Sequence, residues 1–196
     1  VARAVCEAGV LPRKELYESW EVARRVRRRI RGRRIVELAA GHALVSHLLL
    51  LLDDSSPAAL AIDAKRVPSA VRLHEALVAR WPRLAGRVER RVATLSAVPV
   101  ASDDLVVSVH ACGALSDVVL DRAIGARAAV ALLPCCHDAR ACDAGGLLGF
   151  LPLPLAVDAT RVARLRAAGY EVVTRTIPAE ITPENRLIVG LPRPLA

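Results

Sequence analysis

Apolar positions follow two periods along this chain. Between Arg13 and Ile30, Leu16, Trp20, Ala23, Val26 and Ile30 recur every three or four residues. That spacing predicts an amphipathic helix, and Gly32 follows as its stop. Beyond it, short runs that are apolar at nearly every position alternate with helical patterns. The runs Arg34–Leu38, Ala59–Ile62, Val88–Ala93, Leu105–Val109, Ala128–Leu133, Tyr170–Ile177 and Arg186–Gly190 are predicted strands. The segments Ala43–Leu52, Val67–Arg80, Leu115–Ile124 and Ala159–Ala168 are predicted helices. Pro68 suits a first helical turn, and Gly169 closes the last helix.

Strands alternating with helices at this spacing specify βαβ units. Continuously apolar strands are covered on both faces. The expected fold is therefore α/β, a Rossmann-like doubly wound, mostly parallel seven-stranded sheet. Its last two strands form a hairpin-like pair around "PAEITPEN", which makes the C-terminal strand antiparallel. No linker or repeat divides the chain. The expected organisation is a basic helix over 1–32 packed on a domain over 33–196. The stretch from Asp138 to Leu155, with three glycines and two prolines, is the longest expected loop, in the position of a lid.

Composition sharpens this picture in two respects. Aromatic residues are only 3% of the chain, so Leu, Val, Ala and Ile must build the core. The longest apolar run, near Ala43–Leu52, is too short to span a bilayer, and charged residues interrupt the N-terminus. No membrane partner is expected, and a cytoplasmic chain with reduced thiols is. The net charge is +8, and eight arginines fall between Arg24 and Arg34 without an acid; elsewhere bases and acids balance at 20 each. Arg24, Arg25, Arg28 and Arg31 lie off the apolar helix face. They form either a solvated face or a phosphate-binding patch for RNA.

In such sheets ligands bind outside the carboxyl ends of the strands. The first strand there runs into "IVELAAGHA", an acid followed by small residues and a glycine before a helix. Small residues let a ligand approach the backbone. Asp63 ends the second strand, where a carboxylate accepts the two hydroxyls of a ribose. The missing Gly-x-Gly-x-x-Gly argues against a nicotinamide enzyme.

Strands four and five run into "HACGALSD" and "PCCHDARAC", which bring His110, Cys112, Cys135, Cys136 and His137 to one edge. Cys and His are zinc ligands, but the usual gap between chelating cysteines is absent. Adjacent side chains on a strand end point to opposite sides, so Cys135 and Cys136 are not expected to grip one ion, and no metal is expected. A cysteine nucleophile is a second reading of Pro134-Cys135. In the third, His110 and then His137 are general bases, oriented by Asp117 or Asp138, with Cys112 and Cys135 shaping the pocket. His42, His47 and His74 are read as structural or surface groups, and Cys6 as inert.

With "LAAGHA", "HACG" and "PCCH" in place, the sequence resembles the class I S-adenosylmethionine-dependent methyltransferases over about Leu16 to Gly190. Within them it resembles the group with His-x-Cys-Gly and Cys-Cys-His loops. That group includes the tRNA acceptor-stem 2′-O-methyltransferases and the domain of the glutathione-transferase-C-terminal-domain-containing protein. The first motif departs from the family's, since Ala39 and Ala43 stand where the outer glycines belong and only Gly41 remains. The resemblance implies S-adenosylmethionine as cofactor, held by Glu37, Ala39, Gly41, Asp63, Thr94 and His110. It implies methyl transfer near His110, His137 and Cys135. Two function classes stay open: a methyltransferase acting on RNA, and a fold that lost catalysis and binds nucleic acid.

Overall fold

Short apolar strands cannot stand alone in water, and here they pair into one sheet covered by helices. A computed structural model describes residues 1–194. The helices are α1 (Ala2–Ala8), α2 (Arg13–Arg27), α3 (Leu44–Leu52), α4 (Ser69–Arg80), α5 (Leu115–Ala126) and α6 (Leu153–Ala167). The strands are β1 (Arg34–Leu38), β2 (Ala59–Asp63), β3 (Val88–Val92), β4 (Asp104–Val109), β5 (Ala129–Leu133), β6 (Tyr170–Thr176) and β7 (Arg186–Pro192). The sheet order is β3-β2-β1-β4-β5-β7-β6. The pairs β3–β2, β2–β1, β1–β4 and β4–β5 are parallel, while β7 runs antiparallel to β5 and β6. The expected architecture is thus the one formed. The chain reverses between β1 and β4, the switch point at which this topology opens a crevice.

One apolar cluster on the first sheet face joins Val22, Ala23 and Val26 of α2 to Leu48 of α3 and to Ile35, Leu105 and Val107 of the sheet. A second, on the other face, joins Val119 and Leu120 of α5 to Val36, Val106, Val130 and Leu132. The strands β4 and β5 are buried at every position, as their unbroken apolar runs require. At the edge, β3 reads VERRV and is largely exposed, with charged side chains that discourage further pairing.

Three helices differ most from expectation. The helix α1 was not foreseen; it buries only Ala4 and Val5 and is too short for a legible periodicity. The helix α2 ends at Arg27 rather than Ile30, because Arg29 and Ile30 both turn their N–H groups back to the Val26 carbonyl. The helix α6 starts at Leu153, six residues before the expected Ala159. Pro152 and Pro154 suggested a loop there, but proline is tolerated in a first helical turn, where the amide has no partner to lose. The expected lid therefore shortens.

The β1–α3 turn keeps left-handed backbone at all three positions of the first motif. Ala39, Gly41 and Ala43 all adopt left-handed backbone, with φ of 54°, 50° and 59°. A Cβ on Gly41 would meet nothing within 4 Å, so the turn needs conformation rather than space at that position. Alanine pays a steric cost in this region that glycine does not. Ala39→Gly and Ala43→Gly are each expected to stabilise the protein by about 0.5–1 kcal/mol, read as a higher urea midpoint at unchanged slope.

Candidate active site

The carboxyl ends of β1 and β4 and the first half of α2 enclose a cavity of about 240 Å³. Glu37, Ala39, Gly41 and His42 line it from the first turn, His110 from β4, and Glu15 and Ser19 from α2. A second hollow, of about 360 Å³, adjoins it at Val67 and is lined by Asp63, Lys65 and Arg90. Of the residues expected to hold a cofactor, Glu37, Ala39, Gly41 and His110 thus share one cavity. Asp63 borders its neighbour. Thr94 is exposed and lines neither.

Glu37 is buried at the end of β1. Its Oε2 accepts hydrogen bonds from the Ser46 backbone N–H (2.8 Å) and hydroxyl (2.6 Å). Both bonds use one oxygen, which leaves Oε1 for a ligand in the cavity. Burial pushes the carboxyl up to about 7, against the lowering by Ser46. The folded state therefore holds the proton between the ordinary carboxyl pKa and about 7, while the unfolded state does not. In that window the unfolded chain binds fewer protons, so stability falls as pH rises. A loss of about 2–3 kcal/mol between pH 4.5 and 7 is expected from this group, and Glu37→Gln is expected to remove it in urea titrations at the two pH values.

Asp63 acts first on the fold. Its Oδ2 accepts from the Gly41 N–H (2.9 Å) and its Oδ1 from the Lys65 N–H (3.0 Å), so the end of β2 holds the left-handed turn after β1. From β3, Arg90 donates to the Gly41 carbonyl at 2.7 Å. Its other terminal nitrogen, Nη1, is buried without a partner. An unpaired buried guanidinium nitrogen is costly, and the Arg90 side chain lines the hollow that Asp63 borders. Arg90 was not singled out in the sequence, because an arginine on an edge strand reads as a solvated charge.

His110 follows β4 directly, in a strained conformation with φ of 101°. Its Nε2 lies 3.2 Å from Oε2 of Glu18, on α2, in an ion-pair contact without hydrogen-bond alignment. Glu18 is buried. Burial alone would raise its pKa, but His110, Thr182 and the charge of Lys14 outweigh that and hold it below the usual carboxylate value. The acid beside His110 is therefore Glu18, not the expected Asp117 or Asp138. Glu18 escaped notice because its sequence distance from His110 gives no hint of contact, and because acids on amphipathic helices are usually solvated.

His137 has a different setting. Its side chain is 3% exposed, with Nε2 2.9 Å from Asp158 of α6 and Nδ1 3.7 Å from Glu184. Asp158 also bonds Arg186 and Arg161. The guanidinium of Arg161, 1% exposed, reaches Asp117, the Gly113 carbonyl and the Cys142 sulfur. This network ties α6 to the loops after β4 and β5. Asp117 serves Arg161 and Arg164, and Asp138 receives the Arg140 N–H of its own loop. Neither orients an imidazole.

The two cysteine-bearing loops do meet. The Gly113 N–H donates to the Cys136 carbonyl at 3.1 Å. The Cys112 sulfur lies 2.9 Å from that of Cys135 and 3.4 Å from that of Cys136. The expectation that Cys135 and Cys136 diverge is corrected here. It assumed strand alternation, but β5 stops at Leu133 and the chain beyond it is irregular. Burial and the Cys112 thiol push the Cys135 thiol up, the reverse of the lowering that activates a nucleophile.

The last expected surface is the arginine stretch. Arg24, Arg25, Arg28 and Arg29 of α2 and its end form, with Arg175 of β6, one wall of a groove of about 860 Å³ over β6 and β7. Arg31 lies outside that lining. Glu21 pairs with Arg24 and Arg25, and Glu171 with Arg29, while no acid pairs with Arg28 or Arg175 among the described residues.

A seven-stranded sheet of this order, a left-handed turn under an acid at the switch point, and a histidine at the end of β4 define the class. It is a methyltransferase domain of the S-adenosylmethionine-dependent kind. More particularly, the chain matches the family described as "Methyltransferase domain" over residues 14–141 and belongs to it. No curated protein matches it by sequence. Among solved structures it is similar to an O-methyltransferase family protein from Burkholderia thailandensis (TM-score 0.56, 19% identity, covering 89% of this chain and 55% of that one). It is also similar to a putative RNA methyltransferase from Pyrococcus horikoshii (TM-score 0.57, 14% identity, 88% and 81%). A third is the Pyrococcus abyssi tRNA (uracil-54, C5)-methyltransferase in complex with S-adenosyl-L-homocysteine (TM-score 0.52, 16% identity, 89% and 38%). The chain thus spans about half the length of the first of these. At such identities the likeness is one of fold. No described helix is long and apolar enough to cross a membrane.

The residues present fit the cofactor of this class. Glu37 has Oε1 without a partner, and a cationic amino-acid end beside it would favour the ionised carboxylate that burial opposes. The left-handed turn exposes backbone, and Arg90 Nη1 is a buried polar atom without a hydrogen-bond partner.

Proposed function

We propose that this domain methylates a hydroxyl group of RNA, with His110 as general base. The observation that carries the reading is that His110 lines the same cavity as Glu37 and Gly41 while Glu18 stands behind it at 3.2 Å. Bound S-adenosylmethionine supplies an electrophilic methyl group on a cationic sulfur.

The chain's own residues do the rest. A hydroxyl is a poor nucleophile near neutral pH, so a base within reach of its proton lowers the barrier. With the His110 proton held at Nε2 beside Glu18, Nδ1 is free to take the acceptor's proton. The ionised Glu18 then stabilises the imidazolium, the arrangement of a carboxylate behind a catalytic histidine. Cys112 and Cys135 form a wall of the same edge. His137, held by Asp158 and Glu184, positions that wall and takes no proton from the acceptor.

RNA as the acceptor is supported by the arginine groove. From Glu18 to Arg25 is about 10 Å along α2, so a strand held on Arg25 and Arg28 brings a nearby nucleotide to His110. Binding of single-stranded or tRNA-like RNA is expected to weaken with salt, with log K falling by roughly 0.7 per log unit of salt for each phosphate neutralised. Arg28→Ala and Arg175→Ala should each weaken binding and flatten that slope. Salt-independent binding would redirect the reading to a small-molecule hydroxyl. The alternative of a domain that binds nucleic acid without catalysis predicts no heat with S-adenosylhomocysteine in calorimetry. The left-handed backbone at Ala39 and Ala43 favours measurable heat.

A further inference from the structure

The geometry points to a site for one thiophilic divalent cation, zinc by class, held by the thiolates of Cys112, Cys135 and Cys136. The three donor atoms lie within 4.8 Å of one another, from two loops 23 residues apart in sequence. Reduced thiols are weak hydrogen-bond partners with little tendency to gather. Here Cys112 and Cys136 are exposed, so apolar burial does not account for the cluster either. A thiophilic ion does. Zinc takes sulfur ligands at about 2.3 Å in a tetrahedron, which places sulfurs in mutual contact.

The loops are built to present these sulfurs. The Gly113–Cys136 backbone bond clamps one loop to the other, and Arg161 holds the Gly113 carbonyl from below. The nearby alternatives are committed elsewhere. His137 is turned to Asp158 and Glu184, and the buried Cys142 lies against Arg161. The protein therefore supplies three ligands, and the fourth position faces solvent on the exposed side of Cys112 and Cys136. Three protein ligands with an open position is the arrangement of an exchangeable or catalytic ion rather than a closed structural one. Binding displaces three thiol protons into solvent and forms three metal–sulfur bonds, with no change of oxidation state. This inference rests on the thiol geometry alone and is independent of the methyl acceptor.

The test is titration of the reduced, metal-free protein with cobalt(II), followed by competition with zinc(II). One cobalt per chain is expected, with a near-ultraviolet thiolate-to-cobalt charge-transfer band that zinc abolishes. Cys112→Ser, Cys135→Ser and Cys136→Ser should each weaken zinc binding by roughly a hundredfold or more. Cys6→Ser and Cys142→Ser should leave it within a few-fold. Circular dichroism of each variant checks that the fold persists without metal. Absence of the band in folded wild-type protein would overturn the site. So would equal cobalt binding by the Cys112→Ser protein, or a Cys112–Cys135 disulfide that persists in peptide mapping under reducing conditions with excess zinc.

Discussion

Replacing His110 with alanine is expected to lower the rate of methyl transfer by about 10²- to 10⁴-fold. Affinity for S-adenosylhomocysteine should stay within a few-fold, because the variant removes the base and leaves Glu37, Asp63 and the β1–α3 turn intact. Glu18→Gln should act through the same imidazole. It keeps the shape but removes the charge that stabilises the imidazolium, so a smaller loss of about 10- to 100-fold in rate is expected. The measurement is single-turnover transfer of labelled methyl groups to RNA at several pH values. A His110→Ala protein with wild-type single-turnover rates would remove His110 from the mechanism. The strained φ of 101° at His110 adds a second consequence. His110→Gly relieves backbone strain, so it should be more stable than His110→Ala while being as inactive.

The largest effect on stability is expected at Arg161. Its side chain is 1% exposed and bonds Asp117 and Asp158 together with the Gly113 carbonyl. Arg161→Leu keeps apolar volume but leaves two carboxylates and a carbonyl without their donor. Removing one partner of a buried pair costs about 3–5 kcal/mol, here softened at Asp158 by Arg186 and at Asp117 by Arg164. Urea denaturation should show the loss directly. The double variant Arg161→Leu with Asp158→Asn should recover part of it, because one of the two carboxylates left behind is then neutral. Full additivity of the two single changes would show that the residues do not act as a pair.

This network also shapes the site. Arg161 holds the carbonyl of Gly113, whose own N–H is bonded to Cys136. Loosening it frees both loops that carry the thiols. His137, which the loop motif made a candidate base, belongs to the same scaffold through Asp158. The histidine and cysteine loops thus divide their labour. His110 lines the cavity with Glu37, while the thiols cluster where the two loops meet and His137 is tied to α6.

Much of the architecture was legible along the chain. Runs such as "LVVSV" and "AVALL" are buried on both sheet faces, so apolarity at nearly every position marked them as central parallel strands. The edge strand β3 was legible by its place after the helix α4, since its "VERRV" composition alone gives little strand signal. The helix α6 was misjudged at its start because proline carries two opposite meanings, a breaker inside a helix and a favoured residue in its first turn. Only the packing of Leu153 to Val157 decided between them. The glycine motif was misjudged in a different way. Residue identity suggested erosion at Ala39 and Ala43, whereas the backbone at both positions keeps the left-handed turn.

By itself the sequence determined the order of strands and helices, the acid under the first turn, and the two loops that meet at the carboxyl edge. These are local facts, written in periodicity and in residues next to one another. Only the tertiary structure decided which groups face each other across the chain: Glu18 behind His110, Asp158 on His137, Arg90 on Gly41, and three sulfurs in one cluster. Such pairings depend on how α2, α6 and β3 settle on the sheet. That settling is driven by non-directional burial of Leu, Val and Ala faces, and it leaves no mark at the polar positions it brings together.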